Sequence, residues 1–581
     1  MISKTAFFEV FVFTFIFAGH PITIDGLFDD WAEVDLNYSD ALGDGSGADF
    51  ADIKITYDNE FLFIYFNVHD GEYLLQDWNE FHLFIDADND SVTGYFVNGI
   101  GAEFEWVFGD RSGVHYVYYG GSTIYQNDIT LRMAPTITDN EFEICISRNS
   151  SVLTMGGANI LVEGKVILTD TGQNADQIPS EYGGISFSIG EDDIQPATPN
   201  SFAKRNESDI RLVTHNVWNS SLMDPNYQEH FRRIYQALNP DIVALQEMYE
   251  NTNQLHSLFN AWFPDEQWYV SSQFRDNIII SKYPVLEQSY FTSSDRTMVA
   301  LLNTEDELGK NLMIFNSHLS CCGNNESRQY DADEFVSNWR NWRENGNGPF
   351  TLTDNTPFVH VGDFNLVGYR QQLTTLTEGD IEDESFFGYD FTLDWDGSPI
   401  EDLFSRHSHK RMSYTWREDN SSFSPGKLDY ILYTDSVLDT SKHFVLQTMT
   451  MDSASLANYG LDEMDSYNSS DHSPRVMDIK IPDNVGIGSS IIPTTIKISA
   501  PYPNPFNPTT KIEYYIPSSG VVKLVVYNIK GQLVETIVNE NQIQGTYTAM
   551  FNGVGLSSGI YLYGLIFDGH SSGFKKAILV K

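Results

Sequence analysis

Residues 210–247 read IRLVTHNVWNSSLMDPNYQEHFRRIYQALNPDIVALQE, and this stretch decides the fold at the centre of the chain. Its first segment, Ile210 to Asn216, is a short apolar strand. Phe231, Ile234, Tyr235 and Leu238 then recur at helical spacing along one stripe, so a helix is expected from about Tyr227 to Leu238. Asp224-Pro225 suits its start. Asn239-Pro240 stops it, because proline lacks an N–H and its ring clashes with the preceding turn. Asp241 to Glu247 is a second strand, and the alternation marks the start of an α/β module that runs to about Pro482.

Within that module, polar residues fall where apolar strands end, the place at which open α/β sheets gather their sites. Asn216 follows IRLVTH, Glu247 follows DIVALQ, Asn277 opens IIIS, and His318 follows LMIFNS. Asp363 and Asn365 follow FVHVG, Asp429 sits in KLDYILY, and Asp471-His472 stand in SSDHSP. Any one of them alone is equally well explained as a turn or cap residue. Together they form an oxygen and imidazole set without a thiolate, which suits Mg²⁺, Mn²⁺ or Ca²⁺ better than a structural zinc.

The strings HNVWN, LQE, DNIIISKYP, NSHL, GDFN, LDYIL and SDHSP, in this order, resemble the endonuclease/exonuclease/phosphatase superfamily. That is the fold of pancreatic DNase, the abasic-site endonucleases, neutral sphingomyelinases and inositol polyphosphate 5-phosphatases. The resemblance covers roughly residues 209–482. It implies a DNase-like four-layered α/β sandwich, with two mixed sheets face to face and helices outside, and metal-dependent hydrolysis of a phosphoester.

Carried over residue by residue, the resemblance makes Glu247 the principal metal carboxylate with Asn216 beside it, and Asp471 a ligand to a second cation or a support for His472. His472 is implied as the general base, held in tautomer by Asp429. Asp363 and Asn365 would orient water and phosphoryl oxygens. His318 would approach the phosphate as donor or general acid, a residue type shared with the DNase and sphingomyelinase branches and not with the abasic-site enzymes. Arg275 and Asn277 are the candidate substrate contacts, and the basic run His407-Ser408-His409-Lys410-Arg411 could touch phosphates or simply be solvated surface. Trp416 could stack on a base, although core packing explains it at least as well. Cys321-Cys322 read as free thiols or as a vicinal disulfide shaping a loop.

Residues 21–190 show strand periodicity instead. Ile53, Ile55 and Tyr57, then Leu62, Ile64 and Phe66, then Phe81, Leu83 and Ile85 alternate with polar residues, which predicts an antiparallel β-sandwich. The strings ITIDGLFDDWAEV and FIDADNDSVTGY resemble the carbohydrate-binding-like sandwiches appended to secreted bacterial enzymes. Asp86, Asp88 and Asp90 stand at alternate positions, as carboxylates for one calcium ion would, or as a solvated acidic hairpin turn. Residues 191–208 and 483–496 read as linkers. Residues 497–581, with PYPNPFNPTT, VYNIKGQ and SSGIYLY, resemble the C-terminal sorting domains of the type IX secretion system, which are small Ig-like sandwiches. Lys4 and the apolar run from Val10 to Ala18 predict a signal peptide over residues 1–20.

The chain is 581 residues long with a formal charge of −47, so several domains are expected and passive binding to duplex DNA through a basic face is disfavoured. Three cysteines exclude a disulfide scaffold. The expected function is a secreted metal-dependent phosphodiesterase or nuclease acting on extracellular DNA or RNA by metal-assisted water attack. A sphingomyelinase-type or phosphomonoester phosphatase is the alternative, and an inactive glycan-binding adhesion protein a further one. Expected partners are the phosphoester substrate, a glycan or cell surface for the N-terminal module, and the secretion machinery for the C-terminal one.

Overall fold

The computed structural model describes residues 19–481 except 44, 46, 118–119, 155–160, 173–175, 191–193 and 250–251. In the C-terminal part it describes residues 482, 497–498 and 501–581 except 502, 517–519, 529, 531, 544 and 568–569. The expected signal peptide lies outside these residues up to position 18, as do the whole 483–496 linker and the first residues of the 191–208 linker. The chain divides into two compact units, Met1–Ile481 and Pro482–Lys581.

The first unit begins with two antiparallel sheets. One holds Phe50–Tyr57, Phe61–Val68 and Glu141–Ser147 as its long strands, and the other centres on Phe81–Asp86 between Glu163–Asp170 and Phe104–Val107. Alternate side chains of a strand point to opposite faces, so a period-two apolar pattern gives each sheet one oily side. Ile53, Ile55, Tyr57, Leu62, Ile64 and Phe66 from one sheet and Phe81, Leu83 and Ile85 from the other meet in a single buried cluster.

The centre of the unit contains two six-stranded sheets. In the first, Ile210–Asn216 runs parallel to Ile242–Gln246 and antiparallel to Arg475–Lys480. In the second, Leu312–His318 runs parallel to Phe358–Asp363, which pairs antiparallel with Asp429–Tyr433. Leu212, Ala244, Ile314, Val361 and Ile431 from both sheets share one cluster. Their neighbours in sequence face the other way: Val213, Val243 and Leu245 pack with Phe231, Ile234 and Tyr235, while Met313 and Phe315 pack with Phe335 and Trp339. Strands covered on both faces are apolar at nearly every position, which is why IVAL and LMIF show no alternation, and the one charge in IRLV, Arg211, is buried against Asp478 at 2.6 Å. The helix observed over Gln228–Leu238 buries the expected stripe of Phe231, Ile234, Tyr235 and Leu238, and Asn239 caps it at φ 47°.

The N-terminal sheets bear directly on this centre. Ile24 bridges Met412, Thr138 N donates to Gly368 O at 2.7 Å, and Thr136 Oγ1 donates to Leu366 O at 3.0 Å. Ser424 N donates to Gln76 Oε1 at 2.7 Å, and the Arg111 guanidinium lies 4.2 Å from the centre of the Phe423 ring. The grip falls on two loops, the one just after Asp363 and Asn365 and the one just before Asp429. In the second unit, Gly520–Asn528 pairs with Leu533–Gln542 and Gly559–Phe567 in a four-stranded sheet, Thr509–Ile516 pairs with Gly545–Asn552, and Leu524, Tyr563 and Phe551 share the core.

Candidate active site

Strand register brings the acidic and imidazole side chains together. His318 lies opposite Asp363, and Asp363 opposite Asp429, so three neighbouring strands present one row across the sheet at its edge. The first sheet contributes Asn216 from the last position of Ile210–Asn216 and Glu247 from just beyond Ile242–Gln246. Glu247 is held at φ 58° and Asn365 at φ 53°, left-handed backbone that non-glycine residues seldom adopt. Such strain concentrates where a side chain must be aimed.

Two histidine–carboxylate pairs meet at Asp363. His472 Nδ1 meets Asp429 Oδ2 at 2.8 Å, and His318 Nδ1 meets Asp276 Oδ2 at 2.6 Å. Each pairing commits Nδ1 to the carboxylate and turns Nε2 inward. The two Nε2 atoms lie 3.6 Å (His472) and 3.8 Å (His318) from the same oxygen, Asp363 Oδ2. That oxygen also accepts from Asn216 Nδ2 at 3.0 Å and from Asn365 Nδ2 at 3.1 Å. Asn216 Nδ2 reaches Glu247 Oε1 at 3.1 Å, and Asn219 N donates to Glu247 Oε2 at 2.7 Å.

The charges are strongly coupled. Burial pushes the Asp363 carboxyl up to about 6, against the pull of both histidines. Burial works against a charged His472, yet Asp429 and Asp363 outweigh it and hold the imidazole well above its usual range. His318 is likewise raised, with burial opposed by Asp276, Asp363 and Glu247. Asp429 stays low despite its burial, because His472 and Thr415 stabilise its charge.

Asp363, Asp429 and His472 offer ligand atoms within 4.8 Å of one another, and Glu247 projects toward the same space with its Oε1 at 3.9 Å from His318 Nε2. Asp429 Oδ1 is buried with no hydrogen-bond partner. A concentration of buried carboxylate oxygens, one of them orphaned, fits a hard divalent cation. Asp471 points its Oδ2 at Trp416 Nε1, at 3.0 Å, which ties Trp416 to the site instead of to the core.

These groups line a cavity of about 360 Å³. Glu247, His318, Asp363, Asn365, Asp471, His472 and Trp416 all reach it, as do Cys321 and Cys322, which are exposed free thiols with Cys322 Sγ donating to Cys321 Sγ. Arg275 and Asn277 do not line it. Asn277 is fully buried and donates to Arg296 O at 2.9 Å, while Arg275 donates to Ser294 O at 3.2 Å. The residue between them is the one that faces the site: Asp276 anchors His318 and also accepts from Tyr249 Oη at 3.1 Å. The sequence signal for it was the carboxylate opening the DNIII string. The other group missed from sequence is Leu74, Gln76, Asp77 and Trp78, which come from the loop between Phe61–Val68 and Phe81–Asp86 of the N-terminal module and form one wall of the cavity. No periodicity could reveal a wall built by a separate module. Of the expected calcium loop, Asp86 and Asp88 converge with Glu103, whereas Asp90 Oδ1 accepts from Val92 N within its own turn.

Residues 213–472 match the model of the Endonuclease/Exonuclease/phosphatase family, and residues 500–581 that of the secretion system C-terminal sorting domain. An uncharacterized protein of Caenorhabditis elegans is 28% identical over 95 residues, 16% of this chain, and the chain spans 29% of that relative's length. Among solved structures, the human Nocturnin catalytic domain with bound sulfate is 16% identical, covering 47% of this chain and 95% of that one with a TM-score of 0.29. An endonuclease/exonuclease/phosphatase family protein from Leptotrichia buccalis is 14% identical over 47% of this chain and 99% of its own, TM-score 0.31. Beta toxin from Staphylococcus aureus with bound magnesium ions is 18% identical over 46% of this chain and 99% of its own, TM-score 0.27. No helix among the described residues is long and apolar enough to cross a membrane. The centre of the chain, residues 213–472, is thus similar to the Endonuclease/Exonuclease/phosphatase family, and its end, residues 500–581, to secretion system C-terminal sorting domains.

Proposed function

We propose that the chain is a secreted, divalent-metal-dependent phosphodiesterase that hydrolyses extracellular nucleic acid. The observation that carries this reading is the convergence of His472 Nε2 and His318 Nε2 on one oxygen of Asp363, each imidazole backed by its own carboxylate. Phosphodiester hydrolysis needs one group to take a proton from water and another to give one or shield charge as the P–O bond breaks.

In this reading Asp429 fixes His472 with its Nδ1–H engaged, and a cation among the same carboxylates would offset the negative charge that keeps the imidazole protonated, leaving Nε2 as the atom that accepts a proton from the attacking water. His318, with its Nδ1 held by Asp276, faces the departing oxygen and donates to it. Asn216 and Asn365 supply fixed amide donors. Glu247, with Asn216 beside it and Asp363 near, would hold Mg²⁺ or Mn²⁺, and Asp471 stands close enough to share that duty. When bound, the cation neutralises phosphoryl charge and polarises the phosphorus centre. The layering of the centre, with two sheets sharing one apolar cluster and helices packed on their outer faces, supports a four-layered sandwich of the DNase type. The sorting domain supports export by the type IX route, to the medium or the cell surface.

The wall supplied by the N-terminal module favours nucleic acid over a lipid or a phosphomonoester. Trp78 is 63% exposed at the cavity lip, 6.4 Å from the ring of Tyr369, itself half exposed. Exposed rings beside a phosphoesterase cavity offer stacking faces for bases, which are worth roughly 1–3 kcal/mol each. The test is a substrate panel of plasmid DNA, RNA, sphingomyelin, bis-nitrophenyl phosphate and a phosphomonoester, each with Mg²⁺, Mn²⁺, Ca²⁺ or EDTA. Nucleic acid cleavage that EDTA abolishes is expected, and preferential turnover of sphingomyelin or the monoester would replace this reading.

A further inference from the structure

We propose that Asp86, Asp88 and Glu103 form a calcium-type cation site in the N-terminal module, separate from the phosphoesterase centre. Asp86 ends the strand Phe81–Asp86, Glu103 sits between Ile100–Ala102 and Phe104–Val107, and Asp88 lies in the turn that follows Asp86. One carboxylate oxygen from each comes within 4.8 Å of the others.

The hydrogen bonding around these groups leaves a defined deficit. Glu103 Oε2 accepts from Ala87 N at 2.8 Å, and Asp86 Oδ2 accepts from Gly101 N at 3.4 Å. Asp88 takes Thr93 Oγ1 on both oxygens, at 3.1 and 3.0 Å. Asp86 Oδ1 and Glu103 Oε1 have no partner, although Asp86 is 0% and Glu103 1% exposed. Buried carboxylate oxygens without a donor cost several kcal/mol each unless a charge compensates them. Lys165 stands opposite Asp86 in the strand pairing, yet no ion pair joins it to any of the three among the described residues. A cation is the group that answers this deficit.

The chemistry selects its type. Three carboxylates on two strands and a turn suit the large, irregular oxygen shell of Ca²⁺, whereas Mg²⁺ demands a near-ideal octahedron and gives up its waters reluctantly. The linear series of alternate aspartates is not the ligand set, since Asp90 Oδ1 accepts from Val92 N within its own turn and Glu103, next to the neighbouring strand Phe104–Val107, joins Asp86 and Asp88 instead. Bound there, the ion would lock the turn onto the small hairpin Tyr95–Val97 and Ile100–Ala102, which displays the exposed Phe96 ring.

The experiment uses the full chain stripped with EDTA and titrated with Ca²⁺ alone, reading bound calcium by equilibrium dialysis and thermal stability by calorimetry. Wild type is expected to bind one more Ca²⁺ than Glu103→Gln, and to gain a Ca²⁺-dependent rise in Tm that Glu103→Gln lacks. Asp88→Asn, at a less buried position where misfolding is not a concern, should lose affinity about tenfold or more, while Asp90→Asn should stay within about twofold of wild type. Equal stoichiometry and equal Tm response in wild type, Glu103→Gln and Asp88→Asn would overturn the proposal, as would a loss in Asp90→Asn as large as that in Asp88→Asn.

Discussion

His318 Nδ1 lies 2.6 Å from Asp276 Oδ2, with Asp276 almost wholly buried behind the imidazole that reaches the cavity. Burial alone would raise Asp276, but the hydrogen bond from His318 holds it below the usual carboxylate range, so it stays charged and fixes the ring. In the proposed mechanism Asp276 is therefore a positioning residue.

Asp276→Asn should lower kcat on bis-nitrophenyl phosphate roughly tenfold to a thousandfold, by analogy with other histidine-orienting carboxylates, with KM nearly unchanged. The amide can present its NH₂ to Nδ1 and so favour the wrong tautomer. A merely structural role would lower Tm and leave the kcat pH profile in place. The measurement is that profile, and kcat within about twofold of wild type at every pH would remove Asp276 from the mechanism.

The second pair predicts a larger loss. Asp429 is fully buried and its Oδ2 is the acceptor of His472 Nδ1 at 2.8 Å. His472→Ala should reduce turnover by about a hundredfold or more, and Asp429→Asn by a comparable factor for the tautomer reason just given. The double variant should be little worse than either single one, because residues acting as one unit are not additive. Additive losses in steady-state kinetics would mean that the pair does not work together.

A pH effect on stability follows from Asp25, in the ITIDGLFDDW segment that docks against Arg411 to Ser413. Burial, reinforced by Asp30, pushes its carboxyl up to about 7, against the Leu27 amide and Lys427. The folded state thus binds a proton more tightly than the unfolded chain does. The stabilisation is complete below pH ~4 and is lost as pH rises toward 7. Asp25→Asn keeps the acceptor for Leu27 N and removes the titration, so at pH 8 it should be more stable than wild type by on the order of 1 kcal/mol, and at pH 4 about equal. Thermal melts at the two pH values decide it. A destabilisation of the variant that is the same at both would refute the assignment.

Much of this was legible from sequence for a physical reason. Strands buried on both faces are mostly apolar, so the polar ends of IRLVTHN, IVALQE and LMIFNSH draw notice, and Glu247 lies beside both Asn216 and His318. Asp363 and Asp429 were legible in the same way, from VHVGD and KLDYILY. Asn277 and Arg275 were not distinguishable from Asp276 in sequence because the three stand in a tight turn before Ile278–Ser281, with Arg275 at φ 57°. The turn directs Asp276 to His318, while Asn277 satisfies Arg296 O. Glu103 stayed hidden because its partnership with Asp86 and Asp88 is set by strand pairing and not by spacing along the chain.

Trp78 was invisible to sequence reading for the same cause, and it yields the prediction that tests how the two modules cooperate. Its ring is at the lip of a cavity whose other walls carry Glu247, His318 and His472, and it is held at φ 55°. The adjoining loop is fixed from below, since Arg111 donates to Gln76 O at 3.0 Å and lies 3.4 Å from Asp77. A ring presented on so rigid a mount can bind without ordering cost. Trp78→Ala should therefore raise KM for single-stranded oligonucleotides about fivefold to a hundredfold, matching the loss of one stacked base, with kcat close to wild type. Bis-nitrophenyl phosphate, too small to span from the reacting centre to the lip, should be turned over unchanged. Trp78→Phe should restore most of the oligonucleotide KM, because a smaller ring still stacks. An equal effect of Trp78→Ala on both substrates would mean that the wall shapes the centre itself. No effect on either would mean that the N-terminal module touches the cavity without touching the substrate.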